Sequence, residues 1–171
     1  MSLERLWAGW RIPYIESASA EPGLVEPDEE GSLFERILGS GLSDEEARIV
    51  HRGATCSVLL NAYPYSNGHL MVLPNRAVPG LEDLDDAEHA ELWDLVRAGT
   101  VAVKAAYSPD GINVGINLGR GAGAGVPDHL HVHVLPRWAG DTNFMTSVAE
   151  ARVLPEPLGD SWRKLRAAWP T

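Results

Sequence analysis

Three of the six histidines in this 171-residue chain recur at every second position, in Asp128-His129-Leu130-His131-Val132-His133-Val134-Leu135-Pro136-Arg137-Trp138. Imidazole is partly unprotonated at neutral pH, so three together can supply a nucleophile, a proton donor or a set of metal ligands. Which of these follows depends on the backbone. A helix turns by about 100° per residue and gives spacings of two no common face, whereas an extended chain alternates sides. The expectation is a half-buried strand with His129, His131 and His133 about 7 Å apart on one face and Leu130, Val132 and Val134 on the other. An ordinary strand with stray histidines and a zinc site share this pattern, though zinc would need carboxylate or thiolate partners that do not cluster nearby.

The stretch just before the histidines, Asn117-Leu118-Gly119-Arg120-Gly121-Ala122-Gly123-Ala124-Gly125-Val126-Pro127, has glycine at four alternate positions. Without Cβ atoms the backbone can approach a ligand closely, and successive amides form concave nests for phosphate oxygens. Alone, such a loop is equally a flexible connection. Leading straight into the histidines, it points to a phosphate cradle. Attack on the α-phosphorus of a phosphoanhydride needs a nucleophile that works at neutral pH, and His131 in the middle is placed for it, with His129 and His133 in reach of the phosphate or leaving oxygen. Amides near Gly123, Gly125 and Val126, with the Asn117 side chain, are the donors available for charge building on the phosphate oxygens.

His129-Leu130-His131-Val132-His133-Val134-Leu135 resembles the signature of the histidine triad family, whose members are nucleotidyl hydrolases and transferases. Further matching stretches are Arg5-Leu6-Trp7, Pro13-Tyr14-Ile15 and Leu60-Asn61-Ala62-Tyr63-Pro64-Tyr65-Ser66-Asn67-Gly68-His69-Leu70-Met71-Val72-Leu73-Pro74. After the triad, Pro136-Arg137-Trp138-Ala139-Gly140-Asp141-Thr142-Asn143-Phe144 is similar to the actinobacterial branch described as diadenosine tetraphosphate phosphorylases. The resemblance implies a homodimer and a nucleotidyl-histidine intermediate on His131. It also implies that Asn61 holds the ribose hydroxyls and that His69 lines the site, the plain alternatives being a turn-capping asparagine and a core histidine. No cofactor is implied, although a divalent cation can accompany the nucleotide.

Two departures qualify the resemblance. Many members carry a Cys-x-x-Cys pair contributing to a structural zinc where this chain has Ser32 and Glu35, so no metal site carries over. Gln, Ser or Thr often precedes the triad where this chain has Gly125 and Val126, which leaves only backbone contacts there. The expected activity is cleavage of a dinucleoside polyphosphate such as diadenosine tetraphosphate, yielding ADP and ATP if inorganic phosphate resolves the intermediate. Hydrolysis by water, hydrolysis of nucleoside phosphoramidates, and a non-catalytic nucleotide- or metal-binding module are the alternatives.

These groups need a frame, and 171 residues with 44% hydrophobic content suit a single domain over 1–171. A net charge of -10 lacks the basic footprint of a general nucleic-acid or anionic-membrane binder. The lone Cys56 excludes an internal disulfide and reads as a core residue. Charges at Glu4, Arg5 and Arg11 interrupt any apolar leader, and no apolar run reaches membrane-spanning length, so a cytoplasmic location is expected.

Residues 1–15, with Trp7, Trp10 and Tyr14, read as a packed segment, and 16–31 as a loose acidic linker. Ser32-x-x-Glu35 predicts a capped helix ending at Gly39, with Phe34, Ile37 and Leu38 on its apolar face. Ser43-Asp44-Glu45-Glu46 repeats the capping pattern with little room for a helix, so Ala47 to His51 is expected as a strand turning at Arg52-Gly53 into Thr55 to Ala62. Tyr63 to Gly68 then turns into a strand from His69 to Leu73, followed by a long amphipathic helix over Asp83 to Ala106. Gly111 to Leu118 alternates as a strand, and a C-terminal extension over 145–171 ends in a helix from Ser161 to Trp169 capped by Asp160. The class is α+β: a mostly antiparallel sheet of about five strands with helices packed on it.

Overall fold

The computed structural model describes residues 31–141 and 156–170. The expectations for 1–15, for the linker 16–31 apart from Gly31, and for the 145–155 part of the C-terminal extension lie outside these residues. The elements are α1 (Leu33–Gly39), β1 (Ile49–Arg52), β2 (Cys56–Leu60), β3 (Leu70–Pro74), α2 (Asp86–Tyr107), β4 (Gly111–Ile116), β5 (Val132–Arg137) and α3 (Leu158–Ala167). The five strands form one antiparallel sheet in the order β1-β2-β3-β5-β4.

Period-two alternation divides this sheet into two working faces. Val58 stands beside Val72 and Val72 beside Val132, while Leu60, Leu70 and Val134 form the next row. These side chains pack with Leu92, Leu95, Val96 and Val103 of α2 and with Leu165 of α3. The alternate rows face the other way: Leu59 pairs with Met71, Met71 with His133, and His133 with Gly115. There Phe34 of α1, Ile49, Leu59, Met71 and Leu73 make a second, smaller core. One strand thus buries valines against α2 while presenting His133 toward α1.

Boundaries differ from the sequence reading where side-chain chemistry outweighs pattern. The Ser43 box forms, with Glu46 N–H donating to Ser43 Oγ, but it opens only a turn. Arg48 at φ 58° ends that turn, so β1 starts at Ile49 rather than Ala47. Asp85, not Asp83, caps the long helix through a reciprocal box with Glu88, and Ser108 at φ 45° stops it before Pro109. At the C-terminus α3 begins at Leu158, with no side-chain cap bond. Asp160 lies inside its first turn and pairs with Arg163 instead of capping. No helix among the described residues is long and apolar enough to cross a membrane.

Candidate active site

Of the three triad histidines, only His133 lies in a strand; His129 sits in a bend and His131 just ahead of β5. All three are nonetheless buried, and the rings of His131 and His133 meet edge to face at 5.0 Å between centroids. His69, fully buried just ahead of β3, makes the group four: its Nε2 lies 2.9 Å from His133 Nδ1. The proton in that contact can be placed. Two donors, the Tyr65 N–H at 3.2 Å and the Asn61 amide nitrogen at 3.3 Å, face His69 Nδ1, which therefore accepts. His69 Nε2–H then donates to His133 Nδ1, and the neutral His133 keeps its proton on Nε2. Among the described residues, that buried Nε2 has no hydrogen-bond partner. Burial, reinforced by the neighbouring His131, lowers the His133 pKa to about 4, so the ring is a neutral donor at physiological pH.

His131 is set the opposite way. Its Nδ1 lies 2.8 Å from the His129 carbonyl, an acceptor only, so Nδ1 carries the proton and Nε2 an unshared lone pair. Burial lowers the pKa of this ring too, which keeps the lone pair available. His129, expected from its spacing to reach a phosphate, has both its nitrogens engaged within the fold. Nε2 donates to the Pro74 carbonyl at 2.8 Å, and Nδ1 accepts from the Ser32 hydroxyl at 2.6 Å. The chain bends at this residue, so His129 turns toward α1 and β3 instead of sharing a strand face with its neighbours. Phe34 presents an edge contact to both His129 and His131, each 5.3 Å away between centroids.

The glycine loop is more folded than its composition suggests. Ala122 and Ala124 N–H both donate to the Gly119 carbonyl, and Gly123 N–H donates to the Arg120 carbonyl. The Gly123 amide is thereby bonded inside the loop. The Gly125 and Val126 amides, by contrast, make no bond within the described residues. Asn117, half-buried where β4 gives way to the loop, likewise has no side-chain partner there. Asn61 serves its own turn, its Oδ1 accepting from Tyr63 N–H at 2.9 Å, and directs its amide nitrogen to His69.

A family model described as the HIT domain matches residues 43–140. The chain belongs to the HIT, or histidine triad, family. It is 42% identical over 167 residues to a Mycobacterium tuberculosis protein named AP-4-A phosphorylase, covering 98% of this chain and 85% of that one. A Schizosaccharomyces pombe relative named asymmetrical bis(5'-nucleosyl)-tetraphosphatase is 36% identical over 95 residues, 56% of this chain and 52% of the relative. Among solved structures, a hypothetical histidine triad nucleotide-binding protein from Sulfolobus tokodaii superposes with a TM-score of 0.64 at 28% identity, over 79% of this chain and 89% of that one. A zinc-bound histidine triad protein from Mycobacterium smegmatis gives 0.64 at 27%, over 80% and 91%.

The donor set of this HIT protein does not fit a structural zinc. His129 has no free nitrogen, and Ser32 and Glu35 are tied into a helix cap rather than offering two thiolates. His51, which could read as a leftover ligand, stacks on Trp169 with centroids 5.1 Å apart. No group of three or more His, Cys, Asp or Glu side chains among the described residues is arranged to hold a metal ion. Cys56 is buried in the main core, with its thiol pushed up to about 11 by burial, and takes no part in the site.

Sequence reasoning passed over Ser32, Phe34, Tyr65 and Pro74 as parts of this site. The Ser32-x-x-Glu35 box was legible, but as a helix start; its hydroxyl meets His129 from 97 positions away in the chain. Pro74 contributes a backbone carbonyl, for which residue type carries no signal; Tyr65 contributes its N–H and a ring 4.7 Å from that of His69 and 6.0 Å from that of His133.

Proposed function

We propose that this protein is a nucleotidyl transferase that splits diadenosine tetraphosphate by phosphorolysis, giving ADP and ATP. The observation that carries the reading is the pairing of opposite tautomers: a lone pair on His131 Nε2 beside an unpartnered N–H on His133 Nε2. His131 Nε2 attacks the α-phosphorus, and the bond from that phosphorus to its bridging oxygen breaks, releasing ATP. His133 Nε2–H faces the reacting phosphate and stabilises charge on its oxygens or on the departing one. An oxygen of inorganic phosphate then attacks the adenylyl-histidine, the P–N bond breaks, and ADP leaves with His131 restored. The Gly125 and Val126 amides and the Asn117 amide group are free to hold the phosphates, and the family resemblance assigns Asn61 to the ribose hydroxyls. His129 serves as the carbonyl that orients His131. The near full-length similarity to the AP-4-A phosphorylase supports phosphate over water as acceptor.

The reading extends to a homodimer. Among the described residues, strand β4 has one neighbour and an open outer edge, and Val114 and Leu118 are 45% and 46% exposed. On α2, Trp93 and Val101 are exposed eight residues apart, on one face. These apolar positions offer a second copy a strand edge and a helix face. The deciding experiment follows diadenosine tetraphosphate by anion-exchange chromatography with and without inorganic phosphate. ADP plus ATP formed only with phosphate is expected; AMP plus ATP irrespective of phosphate would mean a hydrolase.

A further inference from the structure

We infer that Ser32 is a positioning residue for the nucleophile: through His129, its hydroxyl holds the His131 proton on Nδ1, a task done here without a metal. The inference rests on His131 being the nucleophile. It begins with a hydroxyl that has one proton and one place to put it. Ser32 Oγ accepts from the Glu35 N–H at 3.2 Å, so its own proton goes to His129 Nδ1 at 2.6 Å. The serine is itself held, since Glu35 Oε2 accepts from Ser32 N–H at 2.8 Å and Glu35 Oε1 from Ala77 N–H at 2.9 Å. Helix α1 and the segment after β3 are thus fastened to each other at the point where the serine points inward.

On its far side the His129 ring donates to the Pro74 carbonyl, so the imidazole spans from α1 to the end of β3 and has no freedom to turn. Its own carbonyl, fixed with it, receives His131 Nδ1–H. Removal of the hydroxyl leaves Nδ1 of a fully buried ring without its donor. The ring then gains reason to rotate or change tautomer, the carbonyl loses its fixed direction, and His131 can move its proton to Nε2, where the ring no longer attacks phosphorus. The His133 tautomer is set separately, by His69, which the Asn61 amide and the Tyr65 N–H hold in turn.

The test reads the tautomers directly, by two-bond nitrogen–proton correlation spectra of the histidine rings in the full-length protein. The wild type is expected to show protons on Nε2 of His129, Nδ1 of His131 and Nε2 of His133. In Ser32→Ala the His129 and His131 patterns should be lost while the His133 pattern stays, with kcat lower by about tenfold to a hundredfold and KM little changed. Ser32→Gly separates this role from helix capping, because glycine is nearly as good an N-cap as serine and gives a variant that folds if the alanine one does not. Ser32→Thr should restore both spectrum and rate. A chelator should leave the wild-type melting temperature and spectrum unchanged. Wild-type tautomers in both Ser32→Ala and Ser32→Gly, or a chelator that shifts the His129 signals, would overturn the inference. Failure of the functional reading looks different: no turnover of dinucleoside polyphosphates, with the spectra still reporting the tautomers.

Discussion

His131 and His133 present different chemistry from the same ring atom: Nε2 is a lone pair in one and an N–H in the other, because a carbonyl holds the first ring and His69 the second. His131→Ala removes the attacking atom and should lower turnover at least a thousandfold while leaving the circular dichroism spectrum unchanged. The same geometry sets a pH dependence. Burial lowers the His131 pKa from 6.5, so the free enzyme keeps its lone pair at pH values where an exposed histidine has lost it. The acid limb of kcat/KM should therefore fall below pH 6.5; a midpoint above that value would show an imidazole stabilised in its charged form. The identity of the triad was legible because chemistry constrained residue type. Which nitrogen carries each proton was not, since that is decided by backbone groups and by partners distant in the chain: the Pro74 and His129 carbonyls, the Tyr65 N–H, the Asn61 amide and the Ser32 hydroxyl.

At the scale of elements, two contacts tie the β1–β2 and β2–β3 turns to α2. The Glu91 carboxylate of α2 accepts from the amides of Ala54, Thr55 and Cys56 and from the Thr55 hydroxyl, closing the β1–β2 turn. Glu91→Ala leaves those donors unpaired and should cost about 2–3 kcal/mol in a denaturant titration. Gly68 holds φ +73° just before His69, and a Cβ there would lie 2.5 Å from the Tyr107 ring. Gly68→Ala should thus displace His69 from His133, with activity falling further than a stability loss of about 1–2 kcal/mol accounts for, as judged by assays well below the melting temperature. The sheet itself was readable in the sequence, because β2 and β3 are short, nearly continuous apolar runs and β4 and β5 set Ile or Val at alternate positions. The start of β1 was not: Arg48 in the left-handed region and the Ser43 turn are local geometries that hydrophobic pattern does not encode.

For the whole molecule, the buried neutral histidines tie stability to pH. His51, His129, His131 and His133 all have pKa values lowered by burial, so the unfolded chain takes up protons that the folded one refuses. Stability should decline as pH drops below about 6.5, and His133 alone, at about 4, accounts for roughly 2 kcal/mol by pH 5. Calorimetric melting between pH 7.5 and 5 checks this; an unchanged melting temperature would mean that the rings are charged in the fold. Composition alone indicated one acidic domain, whereas the unequal edges of its sheet depended on contacts no local pattern encodes. On β1, the Trp162 indole N–H bonds the Ile49 carbonyl at 2.9 Å and the Arg166 guanidinium bonds the Val50 carbonyl at 2.8 Å, both from α3. Among the described residues the sheet has one edge covered and one open, and so a single growing end. If two copies meet through β4, as proposed, no further template remains, and association halts at the pair instead of running on into a fibre.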